Sequence, residues 1–238
     1  SSDLGDGFQV AHDFIMQAGS DTSVVPSVNV STGDYSQYTS SSATTTSYKG
    51  VKVKNLVDIS FGNIYLNSYD DGFHADYGEA LENGSTGEGN IYIKGGSVSS
   101  KVYSPTKSSG MGHGWGGQQE VKGSKGIHAD NTLYISGGTI DIESAFEGLE
   151  ANHIDISGGE INANKKINET PSIVVSGGTL DITIYGSDVD GIDSNGTFTQ
   201  TGGLVITRGQ PNSTESMSSG LDTDGTSTIK GEIGRAHV

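Results

Sequence analysis

The chain contains no cysteine, which removes disulfides, thiolate metal sites and cysteine nucleophiles together and leaves the redox compartment undetermined. Nowhere do about 18 apolar residues run together, so no membrane-spanning helix is expected, and no signal-peptide pattern is found. Positive charge is scarce: 13 Lys and Arg face 29 Asp and Glu, for a net charge of −16. So acidic a chain repels phosphate backbones, which argues against nucleic-acid binding and makes divalent cations natural partners. Leu is also scarce, nine residues against 20 Ile, which argues against helical bundles and leucine-rich repeats. Val, Ile, Leu and Phe together number 51, or 21% of 238 residues, just above the level at which a highly charged chain stays disordered. Their spacing therefore decides whether a core forms.

What the chain does have is 37 Gly and a repeat. One element recurs six times: ISFGNIYL at 59 to 66, IKGGSVSS at 93 to 100, ISGGTIDI at 135 to 142, ISGGEINA at 156 to 163, VSGGTLDI at 175 to 182 and QTGGLVIT at 200 to 207. Each reads as a strand, a glycine bend and a second strand. The second Gly falls at 62, 96, 138, 159, 178 and 203, so the unit is about 21 residues, with insertions in the first two intervals. A second element interleaves with it: KGVKVK at 49, DGFHAD at 71, KGIHAD at 125, EGLEAN at 147, DGIDSN at 190 and SGLDTD at 219. DGFQVA at 6 is an earlier candidate.

Short strands at this period predict an all-β, parallel β-helix, in which each coil buries its inward residues only by stacking on the next. Alternation assigns the inward positions. They include Val57, Ile91, Leu133, Ile154 and Ile173 before the bend, and Ile64, Val98, Ile140, Ile161, Leu180 and Val205 after it. In the second element the large inward column is Val51, Phe73, Ile127, Leu149, Ile192 and Leu221. The solenoid is expected over 49–230, with 1–48 as an irregular segment or capping coils. Residues 231–238 break the pattern and read as a tail of the kind an expression vector leaves. Tyr77 to Gly89 and Ser104 to Ser124 are long loop insertions, and binding often sits with such loops.

The outward columns of the second element carry the chemistry. They read Lys52, His74, His128, Glu150, Asp193, Asp222 and, two residues later, Lys54, Asp76, Asp130, Asn152, Asn195, Asp224. Carboxylates on adjacent coils about 4.8 Å apart would repel by roughly 3 kcal/mol at an effective dielectric of 20, so a stack of them calls for a counter-ion. Ca²⁺ suits carboxylate and amide oxygens. The expected ligands are drawn from Asp70, Asp71, Asp76, Asp130, Glu147, Glu150, Asp188, Asp190, Asp193, Asp222 and Asp224, in sets such as Asp71, Asp76 and Asp130, or Glu147, Asp190 and Asp193. The competing reading is a solvated polar face with side chains capping turns. His74 and His128 could hold Zn²⁺ if their coils adjoin, but two His on a polar face are more often exposed to solvent. Tyr92 and Tyr134 share an outward position and would form a flat stacked platform for sugar; Tyr65 and the single Trp115 are further candidates.

The combination of ISGGTI strands with DDGFHAD, EGLEA and DGI elements resembles the carbohydrate-binding β-helix domains of extracellular and surface proteins of anaerobic bacteria. The resemblance runs over roughly 49 to 224. It implies a right-handed β-helix, bound Ca²⁺, and affinity for plant cell-wall polysaccharide, including acidic pectin and cellulose, outside the cell or at its surface. The architecture is also similar to the calcium-dependent pectate lyases of polysaccharide lyase family 9, whose base is a Lys. Lys52 and Lys54 are the candidates here, but a base must shed its proton, and neighbouring carboxylates favour the charged form of a Lys. The expectation is therefore a monomeric protein that binds polysaccharide without cleaving it, with a pectate-type lyase and a structural surface adhesin as alternatives.

Overall fold

The computed structural model describes residues 5–32, 47–102, 124–164, 166–167, 170–184, 190–209 and 219–230. Trp115 and Asp188 lie outside the described residues. Those described form an all-β molecule, and none of their elements is a helix that could cross a membrane. Three parallel ladders run side by side along the chain.

The first ladder takes Phe8–Val10, Val51–Val53, Phe73–Ala75, the starts of Lys125–Ser144 and Glu147–Ala163, then Ile167, Ile192–Ser194 and Leu221–Thr223. The second stacks Asp13–Met16, Leu56–Ile59, Asn90–Ile93, the middles of the two long strands, Ser172–Val175, Thr197–Gln200 and Ser227–Ile229. The third stacks Ser27–Ser31, Asn63–Ser68, Ser97–Val102, the ends of the long strands, Thr179–Ile184 and Leu204–Gly209. The chain visits the three in turn before rising one rung, which is the arrangement a stacked solenoid needs. Among the described residues the one antiparallel pair is the hairpin of Tyr77–Ala80 with Thr86–Glu88, which accounts for the acidic insertion.

The inward columns merge into one core. Val57, Ile91, Leu133, Ile154 and Ile173 are fully buried, as are Ile64, Ile140, Ile161 and Leu180, while Val98 is 1% exposed. Val205 and Leu221, near the C-terminal end, are only partly buried. The bend between the second and third ladders needs glycine for a stated reason: Gly138 has φ +85°, and a Cβ there would lie 2.8 Å from the Gly96 carbonyl on the neighbouring rung. An L side chain tolerates neither the dihedral nor the contact.

Two features depart from the expected layout. Residues 8–31 supply a coil in register with the next one, pairing Phe8 with Val51, Phe14 with Val57 and Val28 with Ile64. DGFQVA at 6 marks its first strand, and the sequence hides the other two because no Gly-Gly bend joins them and a long stretch separates them. Second, Ile167 pairs with both Leu149 and Ile192, so a rung lies between those of Gly148 and Gly191, as their separation of two repeat units requires, and the set Glu147, Asp190 and Asp193 does not fall on adjoining coils. The segment NKKINE has no glycine at this rung; the backbone carbonyl that meets Gly148 N–H belongs to Lys166.

Candidate functional site

Four successive rungs of the first ladder build a dense polar cluster. Because Val51, Phe73, Ile127 and Leu149 point inward, the next residue on each rung points outward: Lys52, His74, His128 and Glu150 stand in register. The position before each ladder glycine adds Lys49, Asp71, Lys125 and Glu147, alternating in sign from rung to rung. The sequence columns do not single out Lys49 and Lys125, although their sign alternation is written in the motif. It bears directly on the expected repulsion: lysines interleave with the carboxylates and offset part of their charge.

Asp71 is the centre of the cluster, 3% exposed. One carboxylate oxygen, Oδ2, lies 2.8 Å from His74 Nδ1, 3.1 Å from Lys49 Nζ and 3.5 Å from His128 Nδ1. The other, Oδ1, accepts the Lys125 backbone N–H at 2.8 Å. The far nitrogens of both rings also face carboxylates. His74 Nε2 is 3.1 Å from Asp76 and 3.3 Å from Asp130; His128 Nε2 is 3.4 Å from Asp130 and 3.3 Å from Glu150. The rings meet edge to face, centroids 4.3 Å apart. The coils of His74 and His128 do adjoin, and their side chains are only 14% and 15% exposed, which corrects the expectation of solvent-exposed histidines.

These contacts shift protons. Burial opposes the charged form of Asp71, yet the imidazoles of His128 and His74 and the Lys49 ammonium hold it well below the usual carboxylate range. Against the same burial penalty, Asp130, Asp71 and Asp76 raise His74 to about 10. Asp130 falls to about 2, burial being outweighed by His74 and the Tyr77 N–H. Glu150 goes the other way: burial and the adjoining Glu147 push it up to about 8, against the pull of Lys125 at 3.1 Å. A recess of about 210 Å³ opens beside it, lined by His128, Ala129, Asp130, Glu150, Ala151 and Asn152.

Glu150 gives a pH prediction with a definite sign. Its folded value of about 8 exceeds the ordinary 4.5, so between those limits the folded state holds more protons and stability falls as pH rises. His74 adds a loss in the same direction, its contribution complete below 6.5 and disappearing toward about 10. Glu150→Gln removes the first component alone. Melting curves at successive pH values, in chelator, are expected to show a shallower decline for this variant between pH 4.5 and 8; parallel declines would refute the assignment.

The other expected residues divide into groups. Asp70 pairs with Lys49 at 2.8 Å, Lys52 with Asp76 at 3.4 Å, and Lys54 with Glu79 at 3.8 Å. The set Asp71, Asp76 and Asp130 is thus brought together, with imidazoles among its carboxylates. Glu147 is not brought to Asp190 and Asp193, because the Ile167 rung intervenes. Asp193 instead faces Asp222 in register on the next rung. Burial raises the Asp193 carboxyl, Lys166 opposes, and Asp190, Asp222 and Asp224 add to the rise. Asp190 Oδ1 accepts the Ser219 N–H and hydroxyl, which fixes that turn.

On the second ladder Tyr92 and Tyr134 are register partners, but their rings are 6.2 Å apart at 76°, an edge contact and not the flat stack expected. The rotation has local causes. Asn90 Nδ2 donates to the Tyr92 hydroxyl at 3.3 Å, Lys94 Nζ lies 5.4 Å from the Tyr92 ring centroid, and the Ser157 hydroxyl donates to Tyr134 at 3.0 Å. Lys94 also bonds Asp58, one rung below, at 2.7 Å. Tyr65 is 45% exposed on the third ladder, apart from this pair.

Residues 79–168 match a family model described as carbohydrate-binding domain-containing protein. The match supports carbohydrate binding, and it spans Tyr92, Tyr134 and the rungs that carry His128 and Glu150. No curated protein and no solved structure matches the chain.

Proposed function

We propose that this is an extracellular or cell-surface, right-handed parallel β-helix with coils of about 21 residues, which binds plant cell-wall polysaccharide without cleaving it. The ligands are acidic pectin such as polygalacturonate, and cellulose, and the working form is a monomer. The family match over residues 79–168 carries the reading. The outward Tyr92 and Tyr134, with Asp58, Lys94 and Ser157 around them, supply ring surface and hydrogen-bonding groups of the kind sugar recognition uses. Neither Lys52 nor Lys54 stands free as a proton acceptor, each being engaged by a carboxylate, which favours binding over β-elimination.

Calcium belongs to the proposal, and the donor sets differ in how well they suit it. Asp190, Asp193, Asp222 and Asp224 offer oxygens alone on neighbouring rungs, the chemistry a hard cation takes. A cation held there would relieve the mutual repulsion of these carboxylates and could bridge to a uronate. The Asp71 cluster, with two imidazoles among its donors, suits Ca²⁺ less well.

Affinity electrophoresis in polygalacturonate gels tests this reading. Retardation is expected with Ca²⁺ present and lost in chelator while circular dichroism stays unchanged, because a protein of charge −16 repels a bare polyuronate. Retention in chelator with intact structure would refute calcium bridging.

A further inference from the structure

The geometry points to a site for a borderline divalent metal of the Zn²⁺ class, with Asp71, His74 and His128 as its protein ligands. Asp71 Oδ2, His74 Nδ1 and His128 Nδ1 all lie within 4.8 Å of one another. Two imidazole nitrogens and one carboxylate oxygen are a donor set that Zn²⁺ accepts and that Ca²⁺, which prefers oxygen alone, does not. The inference goes beyond polysaccharide binding and stands independently of it.

Three further observations favour a metal over a simple ion-pair network. His128 Nδ1 is buried and makes no hydrogen bond, although Asp71 Oδ2 lies 3.5 Å away and the His74 ring packs against its own. Both rings have their Nε2 backed by carboxylates, Asp76 and Asp130 for His74, Asp130 and Glu150 for His128. That is the outer arrangement that fixes the orientation of a metal-bound imidazole and raises its basicity. Asp71 is itself held by the Lys125 N–H through Oδ1, leaving Oδ2 directed at both rings. Lys49 is the competing cation on that oxygen, and it has Asp70 at 2.8 Å as an alternative partner. Three protein ligands leave a fourth position for water or a ligand oxygen. The ion would join the Phe73 rung to the Ile127 rung, between which the chain makes both of its long insertions.

The test uses the full chain, stripped with chelator and dialysed. Titration with Zn²⁺ against a chromophoric chelator is expected to give one tight equivalent that excess Ca²⁺ does not displace. Co²⁺ in its place should give the intense visible absorption of a four-coordinate ion. His74→Asn and His128→Asn should each weaken Zn²⁺ binding by more than the ~100-fold that outer partners contribute, whereas His153→Asn, remote from the cluster, should not change it. No stoichiometric Zn²⁺ on the unaltered protein, displacement by Ca²⁺, or undiminished binding in His128→Asn would each overturn the inference. Since the first two are read on the unaltered chain, a variant that fails to fold does not obscure the result.

Discussion

Asp71→Ala is expected to destabilise the protein by about 3–5 kcal/mol, the cost of removing one partner from a buried charge cluster. The carboxylate is almost fully buried and serves His74, His128, Lys49 and the Lys125 N–H together. Without it two imidazoles and a lysine lose the anion they share, and a buried donor loses its acceptor. Asp71→Asn keeps the acceptor for Lys125 but not the charge, and is expected to fall between Asp71→Ala and the unaltered protein. Urea unfolding in chelator measures both. A loss for Asp71→Ala of less than about 1 kcal/mol, the scale of exposed ion pairs, would show that the cluster does not hold these rungs together.

A comparable loss, about 2–5 kcal/mol, is expected for Ile135→Ala. Ile135 is fully buried and lies mid-stack, paired with Ile93 on one side and Ile156 on the other. In a solenoid each rung touches only its neighbours, so a cavity here weakens two interfaces at once. Leu221→Ala, near the end of the stack where burial is only partial, should cost much less. Equal losses at the two positions, by urea unfolding, would argue against a core built rung by rung.

How much of this was legible in the sequence depended on which physical rule was at work. Alternation sorts a strand into faces, and the columns through Val57, Leu133 and Ile154 are buried as that rule requires. Glycine spacing, in contrast, counts rungs without showing what fills them: two units separate Gly148 from Gly191 and leave room for the Ile167 rung, where Lys166 stands in place of a glycine, and DGFQVA marks only the first strand of the Phe8 to Ser31 coil, which lacks the double-glycine bend. Grouping Glu147 with Asp193 as neighbours overlooked the rung that this spacing leaves between them. Alternation likewise placed Tyr92 and Tyr134 together but could not fix their ring angle, which Asn90, Lys94 and Ser157 influence. Two residues before a strand, the turn decides: Asp71 folds under His74 because the backbone bends at Gly72, and no column of outward residues contains that contact. Hence the sequence located the carboxylates and the two histidines, whereas the burial of the imidazoles against Asp71 and the interleaving of Lys49 and Lys125 became evident only with the rungs assembled.

The most direct test of polysaccharide binding without cleavage is a single sample of the protein with polygalacturonate and Ca²⁺. Retention of the protein on the polymer and the ultraviolet absorbance of unsaturated uronate products are followed together. The expected result is retention with no rise in absorbance over prolonged incubation. Failure to be retained, or a steady growth of unsaturated product, would contradict it.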